Sequence, residues 1–311
     1  MKILLVVDGS RYSDMATLML KALRLPSSTE VTVMTVVPEH TFLGGITLSK
    51  LKDASAKKEA QQQKALDLLQ DAVQALGASR LKVESQVCWG NPTKEILKVI
   101  EESGASLVVM GAKGLTEPLT FHLGSVAQTV MRHARASVLL AREKSATASQ
   151  SLPTKKKIAA VGRVLLATDG SKYSDMVTQF LLNLRLPRQS QVIVVTALQS
   201  YLAAWIKTPT LDFRTNQEIL AGLQAAEESE ARKITANAEK QFQTKGYKTA
   251  SVVIRGGAAT SILASAKEYE PDIIALGSRG LSGIESLLLG SVAERVATYA
   301  NCSVLIGRAP R

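Results

Sequence analysis

The sequence is short of the residues that several common designs need. Only two of its 311 residues are cysteine, Cys88 and Cys302, and no close pair of Cys or His occurs. A disulfide scaffold and a zinc finger are excluded on that ground. Aromatic residues make up 4%, too few for the stacking platforms on which proteins hold single-stranded nucleic acid. Long apolar runs are missing too. The run Ile3–Val7 stops after five residues at Asp8, too short for a signal peptide, and no run reaches the roughly 18 residues of a membrane span. Neither a G-x4-G-K-S/T segment nor a G-x-G-x-x-G after the first apolar run is found, so a P-loop and a dinucleotide fingerprint are excluded. The expectation is a reducing, cytoplasmic protein with no membrane and no nucleic-acid partner.

What is present is a globular composition, 46% hydrophobic and 21% charged, with a formal net charge of +11. The excess is +4 over residues 1–144, +3 over 145–162 and +4 over 163–311, the middle share coming from Lys155, Lys156 and Lys157. Charge spread so evenly reads as a solvated basic surface, since a nucleic-acid groove concentrates it.

The chain repeats itself. ILLVVDGSRYSDM at 3–15 returns as VLLATDGSKYSDM at 164–176, and VTVMTVV at 31–37 as VIVVTAL at 192–198. Later the offset grows from 161 to 166, where Gly90 meets Gly256, Gly111 meets Gly277 and Gly124-Ser125 meets Gly290-Ser291. A period this long means duplicated domains, because solenoid units run about 20–50 residues. The domains are read as 1–144 and 163–311. The Ser-, Ala-, Thr- and Lys-rich stretch 145–162, with Pro153, is read as a linker.

Each copy alternates strand and helix. In the first, Ile3–Val7 is apolar throughout, as for a strand buried on both faces. Met15, Leu18, Met19, Ala22 and Leu23 recur at helical spacing and predict the buried side of the next helix. Strands are predicted at Val31–Val37, Leu81–Cys88, Leu107–Met110 and Ser137–Ala141, and a long helix from Leu51 to Leu76. Asn91-Pro92 reads as an N-cap with proline in the first helical position. Two tandem α/β domains follow, each a doubly wound, Rossmann-type parallel sheet with helices on both faces.

Ligands of such sheets bind beyond the carboxyl ends of the strands. The turn after strand one reads Asp8-Gly9-Ser10 and, in the second copy, Asp169-Gly170-Ser171. The aspartate can accept from a sugar hydroxyl or a base amine, or it can shape its own turn. After strand four stand Gly111–Ser125 and Gly277–Ser291, both G-x2-G-x9-G-S. Without Cβ atoms this backbone approaches a ligand closely and points amides at anionic oxygens, as does the following helix N-terminus. Lys113 and Arg279, between the first two glycines, add positive charge for phosphates. Ser125-Val126-Ala127-Gln128 and Ser291-Val292-Ala293-Glu294 also fit a capping box. His40, His122 and His133 have no counterparts in the second copy, and Cys88 and Cys302 read as buried, inert thiols. No catalytic or metal-ligating set recurs in both copies.

Taken together, strand–DGS, the early Ser-Asp, Gly-x-Pro before a helix and G-x2-G-x9-G-S resemble universal stress proteins, over about 2–142 and 163–308. The resemblance implies a five-stranded sheet of order 3-2-1-4-5 and pairing of domains through their fifth strands, within the chain or in a homodimer. It also implies ATP, or AMP or ADP, as ligand, with Mg or Mn held mostly by phosphates and water. Asp8 and Asp169 would lie near the adenosine. Val36 and Ala197 would meet adenine through backbone groups. Met110 and Leu276 would flank the nucleoside, and Gly111 and Gly277 would approach the ribose. Gly114, Gly124 and Ser125, with Gly280, Gly290 and Ser291, would hold phosphates. The first copy departs from the family pattern at Glu117, Pro118 and His122, and both copies have alanine (Ala127, Ala293) two residues after the motif serine. The second copy, though Ala258 replaces Pro92, is the nearer to the pattern. The implied function is a nucleotide-binding stress regulator, at most a weak ATPase, acting on a protein partner the sequence does not name. The alternative is a nucleotide-independent scaffold with one or both sites vestigial. A true adenylate-forming enzyme would need motifs such as S-G-G-x-D-S, for which DGSxYSD is a poor match.

Overall fold

The computed structural model describes residues 1–38, 48–77, 81–115, 123–144, 161–198, 213–280 and 289–308. The chain divides into two compact units, the second running from Val161 to Gly307. Most of the expected linker (145–160) lies outside the described residues, as do His40, Glu117, Pro118 and His122.

In the first unit the order is β1 (Lys2–Val6), α1 (Arg11–Ala22), β2 (Glu30–Val37), α2 (Leu48–Leu76), β3 (Lys82–Trp89), α3 (Pro92–Ser103), β4 (Leu107–Gly111), α4 (Ser125–His133) and β5 (Ser137–Ala141). The second repeats it with β6 (Arg163–Ala167), α5 (Lys172–Leu184), β7 (Gln191–Leu198), α6 (Phe213–Gln243), β8 (Lys248–Arg255), α7 (Ala258–Tyr269), β9 (Ile273–Gly277), α8 (Ser291–Tyr299) and β10 (Ser303–Gly307). The sheets run β3-β2-β1-β4-β5 and β8-β7-β6-β9-β10. All pairs within each are parallel, the order 3-2-1-4-5 that the family resemblance implies. In each sheet β1 or β6 is central and nearly wholly buried, as its unbroken apolar run requires, whereas β3 and β8, at an edge, are mostly exposed or half-buried.

The chain leaves β1 toward β2 and β3, then returns past β1 to β4 and β5. Right-handed crossovers put the helices of the two journeys on opposite faces. So α1 packs on β4 and β5 and against α2, which covers β2 and β3, while α3 and α4 pack together. Strand order reverses between β1 and β4, and at such a point sheets of this kind place a ligand crevice beyond the carboxyl ends. The same holds between β6 and β9.

Three local results sharpen the sequence reading. Asn91 caps α3, its Oδ1 accepting from Lys94 N–H at 3.2 Å with Pro92 first in the helix, and Gly104 closes it in the left-handed region. The buried side of α1 is Ser13, Ala16, Thr17, Met19 and Leu20, rotated from the stripe through Met15, Leu18 and Ala22. Two hydroxyl residues face inward because each satisfies itself on its own helix: Ser13 donates to Ser10 C=O at 2.9 Å and Thr17 to Ser13 C=O at 3.0 Å. The long helices are fastened to the edge strands by different chemistry in the two units. Lys58 lies 5.2 Å over the Trp89 ring. At the same place in the second unit, Arg255 donates to Gln224 C=O and pairs with Glu228 at 2.9 Å. Hydrogen bonds from Arg232 and then Arg255 hold the Glu228 carboxyl below its ordinary range.

One core contact is complementary across the duplication. A Cβ on Gly307 would run into the side chain of Val177. The corresponding residues of the first unit are Ala16 and Ala141, both fully buried. Space given up at one position is taken at the other. Gly307→Ala is therefore expected to destabilise the second unit by about 1–3 kcal/mol through overpacking. Adding Val177→Ala should recover most of that loss, as a double-mutant cycle in urea unfolding would show.

Candidate functional site

The site is built from two turns per unit. After β1 the chain turns at Asp8, whose Oδ1 accepts from Ser10 N–H at 3.0 Å, and Ser10 caps α1 by accepting from Ser13 N–H at 3.2 Å. The second unit repeats both bonds, Ser171 N–H to Asp169 at 3.0 Å and Ser174 N–H to Ser171 at 3.3 Å. The aspartate thus does shape its own turn, but with one oxygen. Gly9 and Gly170 sit at φ of +77° and +74°, where a side chain would be strained. The long helices lie over these turns, through Leu68 above Gly9 and Ile234 above Gly170.

The second aspartate oxygen faces the glycine motif. A Cβ on Gly114 would stand 3.1 Å from Asp8 Oδ2, and on Gly280 only 2.6 Å from Asp169 Oδ2. The turns after the first and fourth strands therefore meet, and the middle glycine is what lets them. Gly111 and Gly277 have a different reason. Their missing Cβ faces the first turn of the helix, at 2.8 Å from Tyr12 Cβ and 3.1 Å from Tyr173 Cβ. These glycines admit α1 and α5 to the sheet.

The motif's last Gly-Ser folds back on its beginning. Gly124 N–H donates to Ala112 C=O and Gly290 N–H to Ser278 C=O, both at 2.8 Å. Gly124 and Gly290 are the N-cap residues, in extended conformation and without a side-chain cap bond. The capping box expected at Ser125 and Ser291 does not form. The cap falls one residue earlier, so each serine is already helical and exposed. The first-turn amides of Val126, Ala127, Val292 and Ala293 precede any intrahelical acceptor. They carry the positive end of the helix dipole beside the Asp–Gly contact.

At Val36 and Ala197 the strand pairing fixes which way the backbone groups point. Val7 N–H donates to Met34 C=O and Gly90 N–H to Val37 C=O. Alternate residues of β2 thus address β1 and β3 in turn. Val36 turns its N–H and C=O to the β1 side at a level where β1 has ended. Ala197 does the same past β6, because Thr168 N–H meets Val195 C=O and Gly256 N–H meets Leu198 C=O. Met110 and Leu276 are buried in β4 and β9.

The motif cations are not simply extended into the crevice. Lys113 Nζ lies 5.7 Å from the Tyr12 ring centre, where Arg11 also stacks at 4.8 Å. Arg279 lies 5.2 Å from the Tyr173 ring, with Lys172 at 5.3 Å. The two tyrosines were missed in reading the sequence, although DGS-Arg/Lys-Tyr-SD recurs in full. Cys88 and Cys302 are buried and in no disulfide, and burial pushes the Cys88 thiol up.

A family model described as the Universal stress protein family matches residues 1–142 and 161–308. The chain belongs to the universal stress protein family. Among similar family members, universal stress protein YxiE of Bacillus subtilis is 28% identical over 152 residues, 47% of this chain and 98% of its own. Universal stress protein Rv2005c of Mycobacterium tuberculosis is 26% identical over 238 residues, 76% of this chain and 73% of its own. The crystal structure of a universal stress protein from Archaeoglobus fulgidus shares the fold, with a TM-score of 0.60 at 21% identity, covering 99% of this chain and 98% of that one. Among the described residues of this universal stress protein, no helix is long and apolar enough to cross a membrane, and no group of three His, Cys, Asp or Glu could hold a metal.

The shifted cap has a measurable consequence. Ser171→Ala removes a true N-cap and is expected to cost about 0.5–2 kcal/mol. Ser291→Ala, exposed and one position inside its helix, should stay within about 0.5 kcal/mol of the parent. Urea midpoints of the two variants check the difference.

Proposed function

We propose that this protein is a nucleotide-responsive regulator whose units bind an adenine nucleotide, ATP in the full complex, in the crevices past β1 and β4 and past β6 and β9. The observation that carries the proposal is the meeting of the first-strand aspartate with the middle motif glycine, made in both units at the point where strand order reverses. Around that contact lie the three kinds of group a nucleotide needs. Val36 and Ala197 offer a backbone donor and acceptor to a base edge. Asp8 and Asp169 turn a carboxylate oxygen toward the motif glycine, an acceptor for a sugar hydroxyl. The first-turn amides of α4 and α8 offer a cradle to phosphates. Because the Gly124 and Gly290 N–H groups are already bonded within the motif, the phosphate donors are the residues after them. Magnesium or manganese would arrive with the phosphates, with ligands chiefly from those oxygens and water. The converging groups bind and orient, so hydrolysis is at most slow, and the regulatory effect runs through a protein partner that reads the occupied crevice.

Isothermal titration of the full chain with ATP and magnesium tests this. Wild type should give heat of binding, and the combined Gly280→Val and Gly290→Val variant should weaken binding to the second unit at least about tenfold, a loss of about 1.4 kcal/mol or more. One side chain would meet Asp169 and the other the Ser278 carbonyl at 3.2 Å. Circular dichroism confirms that the variant is folded. Wild type without heat of binding overturns the proposal in favour of a nucleotide-independent scaffold.

A further inference from the structure

The paired cations on Tyr12 and Tyr173 are not explained by folding alone. Each ring carries one cation from its own helix and one from the glycine motif, and the two units assign them in opposite order. Arg11 is on the helix and Lys113 on the motif in the first; Lys172 is on the helix and Arg279 on the motif in the second. What the copies share is the charge and its place, not the shape of the head group. Two positive groups over one ring repel each other, and a ring attracts a cation by only about 0.5–1 kcal/mol at a solvent-accessible position.

Arg279 shows why this arrangement is held in reserve. Its Nη1 donates to the Tyr173 hydroxyl at 3.1 Å, but its Nε is buried and has no hydrogen-bond partner. An arginine left with an unmet inner N–H is incompletely satisfied where it lies. Its Cα, meanwhile, sits against the helix N-terminus: a Cβ on Gly290, the residue that starts α8, would be 3.5 Å from it. The Tyr173 ring, which the side chain now touches, and the first turn of α8, which its Cα abuts, are thus both close to this residue. The guanidinium is held by the ring and hydroxyl of Tyr173 with one N–H unmet, and a polyanion extending along the crevice would offer it charge-assisted bonds instead.

We propose that Arg279, and Lys113 at the same place in the first unit, are specificity residues that select nucleotides with a polyphosphate tail over a nucleoside monophosphate, by leaving the tyrosine ring for the distal phosphates. This rests on the nucleotide-binding reading above. A monophosphate ends at the helix amides and leaves the cation on its ring, whereas a triphosphate reaches past them.

Equilibrium dialysis of the full-length protein against ATP and against AMP, each with magnesium, gives the ratio of the two affinities. Wild type should prefer ATP. The pair Lys113→Gln and Arg279→Gln should lower that preference about tenfold, the loss expected for a charge-assisted bond, and the exchange Lys113→Arg with Arg279→Lys should keep it. Tyr12→Leu with Tyr173→Leu frees the cations from their rings and should raise the preference about two- to fivefold, corresponding to the ring attraction. A role in folding alone would move both nucleotides together. If the glutamine pair weakens ATP and AMP equally, or both sets of variants shift the ratio the same way, the selection idea is wrong. Wild type that binds ATP and AMP alike also overturns it while leaving the nucleotide site standing; wild type that binds neither removes the site itself.

Discussion

The structure depends on how closely three pieces of backbone approach at the end of the central strand. The turn after β1, the turn after β4 and the first turn of α1 converge on a space that admits no Cβ at Gly111 or Gly277 without displacing the helix, and none at Gly280 without moving Asp169. A parallel sheet with reversed strand order creates the crevice, but it does not decide what lies in it. Here the glycines decide. They let the aspartate approach the motif loop and the first turn of the helix approach the sheet, contacts that a larger residue would have pushed aside. The same contacts recur in both units through the same residue types, aspartate, glycine and tyrosine, while the sequence around them has drifted.

Drift elsewhere shows what the fold tolerates. The tie between long helix and edge strand is a lysine on a tryptophan in one unit and an arginine between a carbonyl and a carboxylate in the other. Either holds the helix over the turn, and either lies on the surface, where the choice of interaction changes stability little. The cations on Tyr12 and Tyr173 exchange positions without changing their sum. Exchange of this kind is what a requirement for charge allows and a requirement for a particular fork of donors does not.

Much of this was legible in the sequence. The buried central strands are written as unbroken apolar runs, Asn91-Pro92 as a helix start, and the duplication as a repeated line of thirteen residues. Errors arose where side chains satisfy themselves locally. The apolar stripe through Met15, Leu18 and Ala22 left out Ser13 and Thr17, each of which bonds to its own helix and goes inward. Ser125 and Ser291 read as caps because the spacing fits, but glycine before them takes the extended conformation and starts the helix one residue earlier. The tyrosines escaped notice because their partners lie about a hundred residues away in sequence. Local spacing records local structure; it does not record which turn a side chain will meet across a crossover.

The exchange of volume between helix and fifth strand carries a consequence for the gene. Its two halves encode interchangeable-looking segments, so misaligned copying can splice the start of one to the finish of the other. A hybrid that joined Val177 to the Ala141 strand would be overfilled, and one that joined Ala16 to the Gly307 strand would be hollow. Each half is thereby tied to its own ending, and that mutual dependence preserves the differences between them.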